Sequence, residues 1–130
     1  MDLIILRGIP GCGKTSFAEV LGGKVASADD FLINDKGEYE WSFDRCKMAH
    51  SLCIELATLL MKDKTPKVII SNTNTRTKDV EFWTNMGKQY GYRVFSVIIE
   101  NRHGGKDNHA VPESTLIKMK DQLSNSVVLG

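Results

Sequence analysis

The sequence predicts a three-layer α/β fold, a parallel sheet of four or five strands flanked by helices. Three observations predict it. Short, unbroken apolar runs of strand length recur along the chain, as expected of strands buried on both faces. Between them lie stretches whose apolar residues recur at helical spacing. Glycine or proline separates the two kinds of segment at most junctions. Strands spaced by helices need crossover connections, which put helices on both faces of the sheet. At 130 residues the chain fits a single domain, residues 1–130, with one core.

The elements follow in order. Leu3-Ile4-Ile5-Leu6 is the first strand. A glycine-rich turn leads into a helix on which Phe17, Val20 and Leu21 share a face, and Gly22-Gly23 stop it. Residues 24–28 form a short second strand, and Asn34-Asp35-Lys36-Gly37 reads as a turn. Ser42 suits the N-cap of a long helix ending near Lys62, with Ala49, Leu52, Cys53, Leu56 and Leu60 as its core stripe. Pro66 marks a break before the strand Val68-Ile69-Ile70. Thr77 caps a helix carrying Val80, Trp83 and Tyr90, closed by Gly91. Residues 94–99 are the next strand, and residues 101–109 are polar and glycine-containing. Pro112 opens a last helix with Leu116, Met119 and Leu123 on one side. No repeat, linker or low-complexity segment interrupts this pattern.

Composition narrows the function. Hydrophobic residues at 42% and charged residues at 25% are those of a soluble globular protein. No apolar run approaches the roughly 20 residues of a membrane span. Met1-Asp2 leads directly into a strand rather than a charged-then-apolar signal, so a cytoplasmic location is expected. Cys12, Cys46 and Cys53 are an odd number without metal-ligand spacing, which reads as free thiols in a reducing compartment. A net charge of +1 argues against bulk nucleic-acid binding and leaves room for a local basic groove.

Chemistry begins at Gly8-Ile9-Pro10-Gly11-Cys12-Gly13-Lys14-Thr15, which matches G-x-x-x-x-G-K-[ST] between an apolar strand and a helical pattern. Glycines let the backbone wrap so that its N–H groups face phosphate oxygens, and the helix start favours the same anion. Lys14 is expected on the β- and γ-phosphates and the Thr15 hydroxyl on Mg²⁺. Gly8, Pro10, Gly11, Cys12, Gly13, Lys14, Thr15 and Ser16 are therefore the expected nucleotide-binding set, with ATP and Mg²⁺ as cofactors.

Asp29-Asp30 follow the second strand, and ligands of open parallel sheets sit beyond strand carboxyl ends. One carboxylate there can take the proton of an attacking hydroxyl while the other holds Mg²⁺ through water or caps the turn. Asp29 is the candidate catalytic base and metal-side carboxylate, and Asp30 a candidate substrate contact. The alternative is that both only cap the turn. After Val68-Ile69-Ile70-Ser71, Asn72 occupies the place where an acidic Walker B residue usually sits. Asn72, Asn74 and Arg76 are candidates for the acceptor site, or satisfy backbone groups at a strand-to-helix turn. In residues 101–109, Arg102 and Lys106 are candidate catalytic cations on a lid. His103 and His109 read as donors to the backbone. Trp41, near Tyr39, either stacks on an acceptor base or plugs the end of the core.

With these four segments in view, the chain resembles the kinase domain of bacteriophage polynucleotide 5′-kinases and their relatives among P-loop kinases. The resemblance rests on the P-loop, on Asp29-Asp30-Phe31, on Ile69-Ile70-Ser71-Asn72-Thr73-Asn74 with Tyr90-Gly91-Tyr92 beyond it, and on the lid running into Ala110-Val111-Pro112. It implies a three-layer P-loop NTPase fold with an acceptor tunnel opposite the ATP site, and transfer of the γ-phosphate to a 5′-hydroxyl of RNA or DNA. It implies Asp29 as general base, Lys14 and Thr15 in their P-loop roles, and Arg102 and Lys106 as lid cations. The chain departs from the family at Asn72, where the phage kinase has aspartate. It departs again at Lys106, where an arginine is expected, and at Phe31-Leu32, where an acceptor-phosphate arginine is absent. The lid is shorter, and there is no room for a phosphatase domain. Two alternatives stand beside this reading: a kinase of small metabolites or nucleotides, and a nucleotide-dependent binding module with little turnover.

Overall fold

A computed structural model describes residues 1–104 and 111–129. Four strands form one parallel sheet: β1 (Asp2–Arg7), β2 (Lys24–Ala26), β3 (Lys67–Ser71) and β4 (Arg93–Ile98), in spatial order β2-β3-β1-β4. Four helices connect or follow them: α1 (Lys14–Leu21), α2 (Phe43–Lys62), α3 (Thr77–Gln89) and α4 (Glu113–Ser124). A 3-10 turn, Ala28–Leu32, follows β2.

The strict alternation of side chains along a strand divides the interior. Leu3 and Ile5 of β1 join Val68 and Ile70 of β3 on one face, packed with Ala49, Cys53, Ala57 and Met61 of α2 and Trp83 of α3. Ile4, Leu6 and Ile69 point to the other face and meet Ala18, Phe17 and Leu21 of α1. The central strands are buried on both faces because each has a helix layer above and below, which is why their sequences show no polar alternation.

Several sequence expectations shift. The buried stripe of α2 is Ala49, Cys53, Ala57 and Met61 at a spacing of four, while Leu52 faces outward. Small residues let the helix approach the sheet, and the leucines pack at its flanks. Val20 is 83% exposed and does not share the buried face of Phe17 and Leu21. β2 ends at Ala26 rather than Ala28 because the chain turns into the 3-10 segment. Arg76, not Thr77, is the N-cap of α3; its backbone N–H and its guanidinium both donate to the Asp79 carboxylate. Pro112 is the N-cap of α4 and Glu113 its first residue. Ser42 caps α2 as expected, its Oγ accepting from the Arg45 N–H at 3.2 Å. No helix among the described residues is long and apolar enough to cross a membrane.

Gly87 sets how closely α3 lies on the sheet. A Cβ there falls 2.7 Å from Leu3 Cδ2 and 2.7 Å from Val94 Cγ2. Gly87→Ala gains about 1 kcal/mol of helix propensity but overpacks buried side chains, which costs about 1–3 kcal/mol. The expected outcome is a net loss of up to about 2 kcal/mol in urea unfolding; a more stable variant contradicts this packing.

Candidate active site

The chain leaves β1 at the one place where the sheet opens. β1 leads to α1 on one face of the sheet and its neighbour β3 leads to α3 on the other, which leaves a crevice at their carboxyl ends. The P-loop, residues 8–15, fills its mouth. The Gly8 N–H donates to the Thr73 carbonyl at 3.0 Å, and the Ile99 N–H donates to the Arg7 carbonyl at 2.8 Å, tying the loop root to the chain beyond β3 and β4. Gly8 must be glycine because a Cβ there falls 2.3 Å from Cys12 Sγ. Gly13 has φ +103°, in the left-handed region, and starts α1 without any side-chain cap.

That uncapped start is suited to an anion. The first backbone bond into α1 is from the Phe17 N–H to the Gly13 carbonyl, so the Lys14, Thr15 and Ser16 N–H groups have no intrahelical partner. Lys14 Nζ folds over the loop and donates to the Gly8 and Ile9 carbonyls at 2.9 and 3.1 Å. Its ammonium thus stands at the loop's concave side. The residues fit a triphosphate: unpaired amides, a positive helix end and a mobile cation on one small concavity. Thr15 and Ser16 are exposed at its rim. Pro10 and Gly11 form the bend, Gly11 at φ +81°. Cys12 contributes differently from its neighbours. Its side chain is fully buried beneath the loop, and its N–H is spent on the Ile9 carbonyl at 3.2 Å.

Asp29 and Asp30 lie exposed on the 3-10 turn at the end of β2, held by the buried neighbours Ala28 and Leu32. The turn is pinned to β3 by one side chain: Asn72 Oδ1 accepts the Ala28 N–H at 2.8 Å. Asn72 Nδ2 donates to Cys53 Sγ on α2 at 3.6 Å. An aspartate at position 72 could make the first bond but not the second. Burial pushes the Cys53 thiol up from its ordinary pKa, against the opposing effect of that amide. Desolvation, then the charge of Asp29, pushes the Asp30 carboxyl above its ordinary value.

The raised Asp30 carboxyl has a consequence for stability. Asp30 holds its proton more firmly folded than unfolded, so folding becomes less favourable as pH rises from the ordinary value of 3.8 through the higher folded one. Asp30→Asn is expected to raise Tm at pH 7 and to lose that advantage near pH 3. A Tm difference that does not change between the two pH values contradicts the strain.

The residues after β3 divide. Asn74 is buried in the left-handed region, φ +43°, with Nδ2 donating to the Leu6 carbonyl at 2.9 Å. Its side chain therefore serves the backbone between β3 and β1, which was one of its two expected roles. The Arg76 guanidinium is paired with Asp79 at 2.9 Å and half exposed. Both residues, with Asn72, line a cavity of about 640 Å³ bounded by α2, α3 and α4. Trp41 is 59% exposed, edge-on to Phe43 with centroids 6.4 Å apart, so it does not plug the core.

Of the expected lid, residues 101–104 are described. Arg102 is exposed and paired with Glu100, not with the P-loop. Among the described residues after β4, His103 reaches the P-loop. Its imidazole stands 2.7 Å from where a Gly13 Cβ would be. Beside it a second cavity of about 290 Å³ runs past Phe17, Val20 and Ile99. Lys106 and His109 lie outside the described residues. Sequence reasoning also missed Arg7. It is buried at the end of β1 and donates from Nε to the Asn74 carbonyl at 2.9 Å. It also donates to the Ser96 and Ser126 hydroxyls, at 3.3 and 2.5 Å. Burial lowers its pKa, while the charge of Asp79 opposes that. A charged residue closing an apolar strand was its one visible signal.

A four-stranded parallel sheet with a P-loop between its first strand and first helix is a P-loop kinase fold. A family model described as AAA domain matches residues 3–125, and the chain belongs to that family. Human NEDD4-binding protein 2 is 31% identical over 98 residues, covering 71% of this chain and 5% of that protein. The 2′,3′-cyclic-nucleotide 3′-phosphodiesterase of Pongo abelii is 30% identical over 103 residues, covering 73% of this chain and 23% of that protein. The chain thus spans a minor part of the curated relatives it matches. Among solved structures, a chain of the Pnkp1/Rnl/Hen1 RNA repair complex superposes with a TM-score of 0.74 at 22% identity, covering 96% of this chain and 44% of that one. Kinases are among the other solved structures sharing the fold.

Proposed function

We propose that this domain transfers the γ-phosphate of ATP to the 5′-hydroxyl of a nucleic-acid end, RNA or DNA. The observation that carries the reading is the Asn72 bond to Ala28. It fixes the Asp29-Asp30 turn to the wall of the cavity at the end of β3, at the same carboxyl end of the sheet as the P-loop. An acceptor hydroxyl, a carboxylate to take its proton and a phosphate cradle thereby share one end of the sheet. The likeness to a chain of an RNA repair complex supports a nucleic-acid acceptor.

In this reading Lys14 exchanges its two loop carbonyls for phosphate oxygens when the triphosphate enters, and the Lys14, Thr15 and Ser16 amides hold the β-phosphate. Thr15, with Asp29 through water, would hold Mg²⁺, which supplies charge neutralisation on the β- and γ-phosphates. Among the described residues no three His, Cys, Asp or Glu side chains group as a metal cage, which suits an ion bound mainly by phosphates and water. Asp29 takes the proton of the attacking hydroxyl and orients it, while Asp30 faces the acceptor side. Arg102 and Lys106 supply the cations that neutralise the transferring group. The apolar walls of the smaller cavity, Phe17, Val20 and Ile99, with His103 above them, suit the base of the nucleotide. Trp41 offers a face to an acceptor base. The chemistry belongs in the cytoplasm, where the free thiols of Cys12, Cys46 and Cys53 persist.

The test is transfer of label from γ-labelled ATP with Mg²⁺ to a single-stranded 5′-OH oligonucleotide, beside a panel of nucleosides and small phosphorylated metabolites. Label in the oligonucleotide end is the expected result. Label only in the panel replaces the acceptor class, and ATP binding without single-turnover consumption reduces the domain to a binding module.

A further inference from the structure

Helix α2 is apolar on two sides, and one of them serves the fold. Ala49, Cys53, Ala57 and Met61 pack on the sheet, and Thr58 turns toward α3, its Oγ1 3.8 Å from Met86 Sδ. A second apolar row, Met48, Leu52 and Leu59, runs along the outside of the helix at 57%, 36% and 59% exposure. None of the three belongs to either core cluster. With Glu55 between them, these positions follow steps of 4, 3 and 4 residues, the seam pattern of a helix that packs lengthwise on another.

The charges bordering the row point to its partner. Asp44 and Lys62 are 18 residues apart, about five whole turns, so they stand in line along one border. Arg45 and Asp63 are also 18 apart and stand in line, by the same count of about five turns, along the other border. Each border carries an acid at one end and a base at the other. Asp44, Lys62 and Asp63 have no ion-pair partner among the described residues, and Arg45 has an exposed one, Glu40 at 3.2 Å. A second α2 laid antiparallel on the row sets each border against its own copy. Asp44 then meets the partner's Lys62, Arg45 the partner's Asp63, and Met48 the partner's Leu59. Every pair recurs across the twofold axis, as a closed dimer of identical subunits requires. Antiparallel order also opposes the two helix dipoles.

We propose that this outer row is a homodimer interface, in which two copies of the chain pack Met48, Leu52 and Leu59 together with their α2 helices antiparallel. Three apolar side chains per copy make a small contact, so the dimer is weak and forms at micromolar or higher concentration. No residue of the P-loop or the acidic turn belongs to the row, so the proposal stands apart from the kinase reading.

Sedimentation equilibrium over about 1–300 µM protein reads the association, a range suited to a small interface. Circular dichroism and Tm show that each variant is folded. Wild type is expected to pass from monomer to dimer by mass action. Met48→Gln/Leu59→Gln, at two exposed helix positions, is expected to raise Kd at least about 10-fold with Tm near wild type. Asp44→Lys sets a lysine against the partner's Lys62 at two symmetric places. It is expected to raise Kd about 3–10-fold at low salt and less at about 0.5 M salt. The double reversal Asp44→Lys/Lys62→Asp restores the pairs with their signs exchanged and is expected to return Kd to within about 3-fold of wild type.

Wild type that stays monomeric across the range overturns the proposal and leaves the row to a different chain. A dimer indifferent to Met48→Gln/Leu59→Gln forms through another face and overturns it as well. A dimer lost in the glutamine variant but no weaker in Asp44→Lys, or not recovered by the double reversal, overturns the antiparallel pairing on which the proposal rests.

Discussion

Lys14→Ala is expected to lower single-turnover transfer from ATP by on the order of 10²–10³ or more, the scale seen when a preorganised charge partner of the transition state is removed. In the ligand-free loop Lys14 Nζ holds the carbonyls of Gly8 and Ile9 at 2.9 and 3.1 Å. It is a flexible cation already at the concavity, with no carboxylate committed to it among the described residues. Entry of a triphosphate replaces two neutral acceptors with charged ones, which form the stronger bonds. The substitution removes that gain and leaves the amides of the α1 start in place. ATP affinity should therefore weaken while the fold survives, because the side chain is only partly buried and its bonds stay within its own loop. Single-turnover rates with γ-labelled ATP, ATP titration and Tm read these effects separately. A rate within a few-fold of wild type contradicts the assignment of Lys14, and a large fall in Tm with proportional loss of everything else makes it a structural residue.

The legible parts of the molecule were those fixed by neighbours in sequence. β1 could be read because both faces of a central strand are apolar, and the P-loop because its glycines and lysine act within eight consecutive positions. The Ser42 cap acts over three residues and was read correctly. Long-range geometry was not legible. The role of Asn72 depends on Ala28, 44 positions away, and on Cys53 across α2. Arg7 donates to the Asn74 carbonyl and to hydroxyls on β4 and beyond α4, and Asn74 donates to the Leu6 carbonyl of β1. Neither partner leaves a periodic trace in the sequence. The α2 stripe was displaced for a physical reason as well. Leucine marks apolar faces by size, whereas the tightest approach to the sheet needs small side chains, and Ala49, Cys53 and Ala57 supply it. Arg102 carried the charge expected of a lid cation, but its side chain pairs with Glu100, and the reach of His103 to Gly13 had no motif to announce it.

Asp29→Asn is expected to cut transfer by about 10²–10⁴, the range for loss of a general base, while ATP affinity stays within a few-fold of wild type. The asparagine keeps the shape of the side chain and removes its capacity to take a proton. The turn that carries it is fixed from both sides of position 29. Ala28 is buried and bonded to Asn72, and the Asp30 N–H donates to the Ser27 carbonyl at 3.3 Å. Loss of rate therefore does not come from loss of the turn, and Tm should be near wild type. Asp30→Asn is the control. Asp30 shares the turn, and its raised pKa records desolvation and then repulsion by Asp29, so neutralising Asp29 relieves Asp30. If Asp29 is the base, Asp30→Asn has the smaller effect on rate, and Asn72→Leu, which unpins Ala28, lowers the rate by weakening the positioning of Asp29. A larger rate loss in Asp30→Asn reverses the two roles, and a parallel loss of ATP affinity in Asp29→Asn moves Asp29 from proton transfer to the holding of the metal-bound triphosphate.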